Sequence, residues 1–575
     1  MTRGVSQPVA VWRFYAVIAL LCSLLALLVG TLLSLQVLDI DRGYRFLQDQ
    51  GVMRSVRTAE IPASRGMISD RRGEPLAVST PVVSLWADPQ ILKGSKRLSE
   101  LAGALGMKLQ TLEDKLLRYK NKQFMYLQRH SMPAQARKVL DRQIEGVYGK
   151  REYRRFYPAG EVAAHLVGVT NVDDKGITGL ELAYDDWLRG TPGKKKVIKD
   201  LHGEVVRDIG IIQAARPGKD LSLSIDLRLQ YLQHRELHRA MTITGAVSGS
   251  IVTLNSKTGE VLGMVNYPAY NPNSRNKRSL GAMRNRAMID VYEPGSTLKP
   301  LTVVAALESG RFSTETIIDT APGSILVGKK LLTDPRDYGA ISVSRIVEKS
   351  SQVGITKIAL DLGVDPIRQV FDRFGLGRLA GTGFPGESGG LLPNHRSWSP
   401  IEYVNLAFGY GLNATPLQVA RAYTAFANAG VLMQVSLLAL EQEKPDGIRV
   451  IDPDIARQMI RVLEAVTQEH GTAQKARVPG YDVAGKTGTV YKVGTAGYST
   501  DRYVALFAGI APVNDPQIVT VVVINEPKGK AHGGGSAAAP VFSRVAEGAL
   551  RLLRVPSAKA ESVVAAPESR PRGAA

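Results

Sequence analysis

Cysteine is almost missing from this sequence: Cys22 is the only one in 575 residues. An intrachain disulfide and any cysteine-cluster metal site are thereby excluded. Paired histidines offer no better route to a metal. His234 and His238 stand four apart, as two imidazoles on one helix face would, but Arg235 and Leu237 occupy the positions where a zinc-protease motif needs glutamate. The pair reads as a solvated helix face, and no metal or other cofactor is expected. Acidic residues are also short, 53 against 73 basic ones, leaving a formal net charge of +20. Such an excess favours anionic surroundings (nucleic acid, membrane headgroups, envelope polymers) without choosing among them. No recognised nucleic-acid-binding motif accompanies the charge, so a nucleic-acid partner is not expected.

Charge disappears altogether from residues 14–38, where the only polar side chains are Tyr15, Cys22, Ser23, Thr31, Ser34 and Gln36. About 20 apolar residues suffice to cross a bilayer as a helix. A cleaved secretory signal would be shorter and would end on a small-residue site, but the run leads into Gln36-Val37-Leu38-Asp39 with no A-x-A pattern. An uncleaved anchor is expected. Arg3 and Arg13 precede it and Arg42 and Arg45 follow, so flanking charge barely distinguishes the two orientations. Residues 1–13 are too short to form a domain, which puts nearly all of the chain beyond the anchor.

Beyond the anchor the punctuation is uneven, and no internal repeat is evident. Residues 65–77, punctuated by Gly and Asp, read as a turn-rich connection between short strands, and residues 98–117 as helical. A second turn cluster at 172–179 leads into an amphipathic segment ending at Trp187. Residues 190–196, with Pro192, Gly193 and three lysines, read as a loop, and Pro217-Gly218 as a boundary. Next come a strand at 221–225 and Asp226 as a helix cap. A β-hairpin follows, with arms at 251–254 and 261–265. Helical patterns dominate the middle, notably 417–429, before strands return at 502–510 and 518–524. The last helix carries Val541, Phe542, Val545, Ala549 and Leu552 on one face. This order predicts an α+β fold, one antiparallel sheet with helices packed against it. Residues 556–575 are Ala, Pro, Ser and charge, and are expected to be disordered.

Chemistry concentrates in Tyr292-Glu293-Pro294-Gly295-Ser296-Thr297-Leu298-Lys299-Pro300. Pro-Gly marks a turn into a helix, and residues three apart on its first turn share a face, which lets Lys299 reach the Ser296 hydroxyl. A serine needs a base to become a nucleophile, and lysine serves when burial lowers its pKa. The helix N-terminus adds positive partial charge where an oxyanion would form. Ser-x-x-Lys alone is weak, arising by chance about twice in a chain this long. Its weight comes from Lys486-Thr487-Gly488-Thr489, which follows Val483-Ala484-Gly485 on a predicted edge strand. That segment offers a cation and two hydroxyls to a carboxylate, and backbone N–H groups to an oxyanion hole, where one donor is worth about 3–4 kcal/mol. Lys257-Thr258-Gly259 repeats the tripeptide inside the predicted hairpin turn and is read as structural.

These residues resemble the signatures of the penicillin-binding protein superfamily. Arg286, the run from Glu293 to Pro300 and segments 408–412, 415–418 and 538–542 are similar to class B transpeptidase domains. Arg65-Gly66, Asp70-Arg71 and Gly179-Leu180-Glu181 resemble the non-catalytic pedestal of that class, and the division-type (FtsI-like) branch fits best. The resemblance covers residues 14–553. It implies a cytoplasmic tail (1–13), a transmembrane anchor (14–38), an elongated, dimerisation-like pedestal (39–220), a serine β-lactamase-like transpeptidase domain (221–555) and a free tail (556–575). The implied activity is D,D-transpeptidation of peptidoglycan stem peptides through an acyl-Ser296, with β-lactams acylating the same serine. The implied roles are Lys299 as general base, Ser350 as proton relay and Lys486 as partner cation, with Thr487, Gly488, Thr489 and Tyr410 binding substrate. The implied setting is the bacterial inner membrane, with the catalytic domain in the periplasm beside division-complex membrane proteins, including a glycosyltransferase. No segment resembles a glycosyltransferase domain.

Two departures from the family pattern stand out. No Ser-x-Asn lies between Ser296 and Lys486; its counterpart is Lys349-Ser350-Ser351-Gln352, with Gln352 in the Asn position. Gln keeps the amide's donors and acceptor on a stem longer by one methylene. Tyr403-Val404-Asn405 matches an alternative form of the motif, but its place just before segment 408–412 marks it as coincidence. Ala531-His532-Gly533-Gly534 lacks the aromatic residues common before the late Gly-Gly, which implies a more open cleft wall. The competing function is a non-catalytic division scaffold or β-lactam-binding homologue, for which Gln352 is the sole support. Carboxypeptidases and penicillinases use the same triad; the anchor and pedestal favour the synthetic enzyme.

Overall fold

The computed structural model describes residues 10–37, 45–46, 56–199, 205–274, 279–440, 447–494, 497–529 and 531–557. The expectations for the first nine residues and for the tail from 558 lie outside these. An unbroken helix, α1 (Val11–Gln36), contains 26 residues and buries none of them. A helix that is apolar all round and unpacked against its own chain fits a lipid environment.

The chain divides into two compact units. One draws on Met1–Ser64, Pro81–Tyr153 and Gly190–Pro217, the other on Arg65–Thr80, Arg154–Arg189 and Gly218–Ala575. In the first, helices Leu98–Leu105, Leu109–Arg118 and Pro133–Leu140 close a core of Leu85, Leu92, Leu101, Leu112, Leu116, Leu127 and Val139. The same unit holds a three-stranded antiparallel sheet, ordered Val56–Ile61, Gly193–Lys199, Val205–Gln213. This overturns the loop reading of residues 190–196. From Gly193 the chain is the central strand, with Lys194 opposite Glu60, Lys195 opposite Ala59 and Lys196 opposite Thr58. Lysines look like loop composition, but strand alternation sends them to the sheet faces, and Lys195 pairs with Asp208 at 2.9 Å. Pro192 stands just ahead of the strand's first residue, Gly193, a position that tolerates its missing N–H.

The second unit is built on a five-stranded antiparallel sheet: β1 (Ser248–Asn255), β2 (Val261–Tyr267), β3 (Ala484–Gly494), β4 (Gly497–Ala511) and β5 (Ile518–Asn525), in spatial order β2-β1-β5-β4-β3. All eight residues of β5 are buried, so both faces of the sheet are covered. Helix α2 (Leu227–Thr244) starts at Asp226, whose side chain accepts from the Arg228 N–H, and packs with the terminal helix α7 (Ala539–Leu552) on one face. Helix α6 (Pro416–Ala427), opened by a capping box of Thr415 and Gln418, covers the other. The β1–β2 turn is held by Asn255, whose side chain accepts from the N–H groups of Lys257 and Thr258. Lys257 pairs with Asp515, so the second Lys-Thr-Gly is structural. Asn405 lies near the end of helix Pro400–Ala407, and its carbonyl accepts the N–H groups of Phe408 and Tyr410 to close the turn that follows. Among the described residues only β4 pairs with β3, which leaves β3 as a sheet edge.

Candidate active site

Ser296 lies on a single 3-10 turn, Gly295–Leu298, that feeds α3 (Lys299–Glu308). Backbone contacts hold the turn in place. Gly295 has φ +54°, and a Cβ there would come within 2.5 Å of the Val490 side chain on β3. Its N–H donates to the Gly409 carbonyl at 3.0 Å, and a Cβ at Gly409 would lie 2.3 Å from Gly295 O. Both positions therefore need glycine. Gly488 on β3 meets the turn from the sheet side, its open Cβ position 2.9 Å from Pro294 O. The buried Tyr423 hydroxyl of α6 donates to Thr297 O at 2.7 Å. The nucleophile turn is thus wedged between the edge strand, the 408–411 turn and α6.

Lys299 is 1% exposed and Lys486 is fully buried. Both reach the same hydroxyl. Lys486 Nζ donates to Ser350 Oγ at 3.0 Å, and Lys299 Nζ stands 3.4 Å from it. Lys299 also donates to the carbonyls of Ser350 at 2.6 Å and Ser351 at 3.3 Å. No hydrogen bond joins Lys299 to the Ser296 hydroxyl. The first turn is 3-10 and not α, and the ammonium of Lys299 is drawn to the two carbonyls of the serine turn. Burial pushes Lys299 down to about 7, with the charge of Asp334 opposing the shift. Lys486 is held well below the usual lysine range, by burial first and by the neighbouring Lys299 second.

Ser350 caps α4 (Val343–Lys349) in the left-handed conformation at φ 58°, and α5 (Gln352–Leu362) begins two residues later with Ser351 as its N-cap. The organiser of this sharp reversal is Asp334, which lies just after strand Lys330–Thr333. Its carboxylate accepts the Ser351 hydroxyl and the N–H of Gln352. Gln352 itself is exposed, and its backbone N–H is held by Asp334. On β3, Thr487 Oγ1 lies 3.2 Å from Thr472 Oγ1 and 3.4 Å from Lys486 Nζ. The exposed Thr489 accepts the Gly534 N–H at 2.9 Å, tying the edge strand to the late Gly-Gly. His532, just before it, stacks on Tyr503 at 4.3 Å, so this position does carry a ring. Tyr410 sits on the 408–411 turn, 6.1 Å centroid to centroid from Tyr498, and is pushed up to about 12 by burial and Glu293.

Two features escaped the sequence reading. Asp334 and Thr472 belong to no local motif, and only the fold brings them to Ser351 and Thr487. Among the described residues no group of three His, Cys, Asp or Glu stands together as a metal site.

Residues 249–547 match the family model of the penicillin-binding protein transpeptidase domain, and residues 60–223 that of the penicillin-binding protein dimerisation domain. The chain belongs to the penicillin-binding protein transpeptidase family. Relatives extend over the whole penicillin-binding protein architecture. The peptidoglycan D,D-transpeptidase FtsI of Escherichia coli is 40% identical over 95% of this chain and 92% of its own. A probable peptidoglycan D,D-transpeptidase, PbpC of Pseudomonas aeruginosa, is 40% identical over 95% of this chain and 96% of its own. Penicillin-binding protein 3 of the tuberculosis mycobacterium, solved with aztreonam, superposes with a TM-score of 0.68 at 28% identity, covering 87% of this chain and 98% of that one.

Proposed function

We propose that this penicillin-binding protein is a peptidoglycan D,D-transpeptidase in which Ser296 carries the acyl group. The observation behind the assignment of roles is the convergence of two buried lysines on Ser350 Oγ beside the Ser296 turn. Near pH 7 a substantial share of Lys299 is neutral amine, the form that accepts a proton from Ser296. Ser296 Oγ attacks the carbonyl of the penultimate D-alanine of a stem peptide, with the edge strand's N–H groups stabilising the oxyanion. The C–N bond breaks, the proton passes by way of Ser350 to the leaving amine, and terminal D-alanine departs. Lys486, Thr487 and Thr489 hold the donor's terminal carboxylate, with Gly488 giving close approach, Gln352 standing in for the family's asparagine and Tyr410 forming a wall. An amine from a neighbouring stem then attacks the ester; C–N forms, C–Oγ breaks and a proton returns to Ser296. A β-lactam enters by the same attack and stays as a stable ester.

Residues 14–38 anchor the chain in the cytoplasmic membrane, with residues 1–13 inside and the remainder in the periplasm. Residues 39–220 serve as the pedestal and 221–555 as the transpeptidase domain. Septal work beside division-complex membrane proteins that include a glycosyltransferase is part of this proposal, carried by the resemblance to the FtsI-like branch. Full-length protein in detergent, given a stem pentapeptide donor and an amine acceptor, is expected to release D-alanine and form the cross-linked product, and Ser296→Ala to do neither. Penicillin binding without any transfer would leave the scaffold reading in its place.

A further inference from the structure

Glu293 is an unusual carboxylate. Its Oε1 accepts the Gly411 N–H at 2.8 Å and the Tyr498 hydroxyl at 2.9 Å. Its Oε2 is closed off from water and has no partner among the described residues. A buried carboxylate oxygen without a partner carries a desolvation cost that proteins usually offset with a cation. Tyrosines surround it instead. Tyr410 and Tyr498 stand edge to face, and the negative charge of Glu293 pushes both phenols up after burial does. Tyr491 on β3 is close enough to Tyr410 to add to that rise. A carboxylate beside aromatic rings makes a site for an ammonium, since the ring quadrupole and the carboxylate attract the same charge.

The location matters as much as the chemistry. Glu293 is three residues ahead of Ser296, just before the nucleophile turn, and Gly411 belongs to the turn whose Gly409 carbonyl holds Gly295. Tyr498 is 50% exposed at the start of β4, the strand paired with the Lys-Thr-Gly strand. We propose that Glu293, with Tyr410 and Tyr498, is the docking site for the protonated primary amine of the acceptor strand. The inference rests on the transpeptidase reading and names the second substrate's subsite. The ammonium exchanges places with the Tyr498 hydroxyl on Oε1 and neutralises the carboxylate. On transfer it yields one proton to solvent through Lys299 and a second to Ser296 Oγ, as C–N forms and C–Oγ breaks.

The test uses full-length protein in detergent, an N-acyl-D-alanine thioester as donor and D-alanine as amine acceptor, with aminolysis and hydrolysis products counted together. Glu293→Gln keeps an oxygen for Gly411 and Tyr498 but removes the charge. Its apparent acceptor KM is expected to rise at least tenfold more than its acylation rate falls, with product shifting from aminolysis to hydrolysis. Tyr410→Leu should move the same ratio and Tyr410→Phe restore it. An unchanged aminolysis-to-hydrolysis ratio in Glu293→Gln, in protein that still acylates, would overturn the inference and leave the transpeptidase reading intact. Loss of acylation with unchanged melting would also overturn it, making Glu293 a support of the nucleophile turn. A parent chain that never acylates would sink both readings together.

Discussion

Two amines share a dry space around Ser350, and one carboxylate, Asp334, lies nearby. Both cannot keep a proton there without a large desolvation cost. Lys299 is held down to about 7, so its neutral form, the base, gains population as pH rises through that value. Acylation by benzylpenicillin is expected to climb about tenfold per pH unit below 7 and to level off above it; a stopped-flow or quenched-gel rate series from pH 5 to 9 checks this. The opposite slope would assign the base elsewhere. Gln352 makes the second prediction at this scale. Misplacing a positioning group by about 1 Å can cost a hundredfold, so Gln352→Asn, which returns the amide to the family's reach, is expected to raise the acylation rate by up to about a hundredfold. The lysines and Ser350 were legible in the sequence because each sits in a short motif. Asp334 and Thr472 were not, since their partners Ser351 and Thr487 lie 17 and 15 residues away and no local pattern records a contact made by folding.

At the scale of elements, the nucleophile turn depends on two backbones that nearly touch. Gly409→Ala would place a methyl 2.3 Å from Gly295 O at φ +81°. Overpacking of this kind costs about 1–3 kcal/mol, and here the strain falls on the turn that aims Ser296. Acylation is expected to drop more than a hundredfold while thermal melting falls by only a few degrees, measured on the same preparation. The long elements were readable from period alone: the β1–β2 hairpin, α6, β4, β5 and α7 all appear where alternation or an apolar face placed them. The strand Gly193–Lys199 did not, because three consecutive lysines and a preceding Thr-Pro resemble a loop until Glu60 and Asp208 come alongside. The turn into a helix after Pro294 is there as a 3-10 turn, but Lys299 at its end donates to the serine turn's carbonyls and makes no hydrogen bond with Ser296.

Across the whole molecule, the motif residues at 65 and 179–181 prove to be architecture. Arg65 and Arg155 both bond the fully buried Glu181, each at 2.6 Å, and Arg65 adds Asp185 at 2.6 Å. Removing one member of such a network strands the others, typically at about 3–5 kcal/mol. Glu181→Ala is expected to lose stability on that order in urea denaturation, with acylation failing only as the protein unfolds. A variant that unfolds normally yet fails to acylate would give this cluster a role beyond stability. The central claim is that Ser296 is the acyl carrier, and intact-mass analysis with peptide mapping after exposure to benzylpenicillin tests it most directly. The expected result is one penicillin mass per chain, on the peptide containing Ser296, and no adduct in Ser296→Ala. An adduct on another peptide, or one that persists in Ser296→Ala, would contradict it.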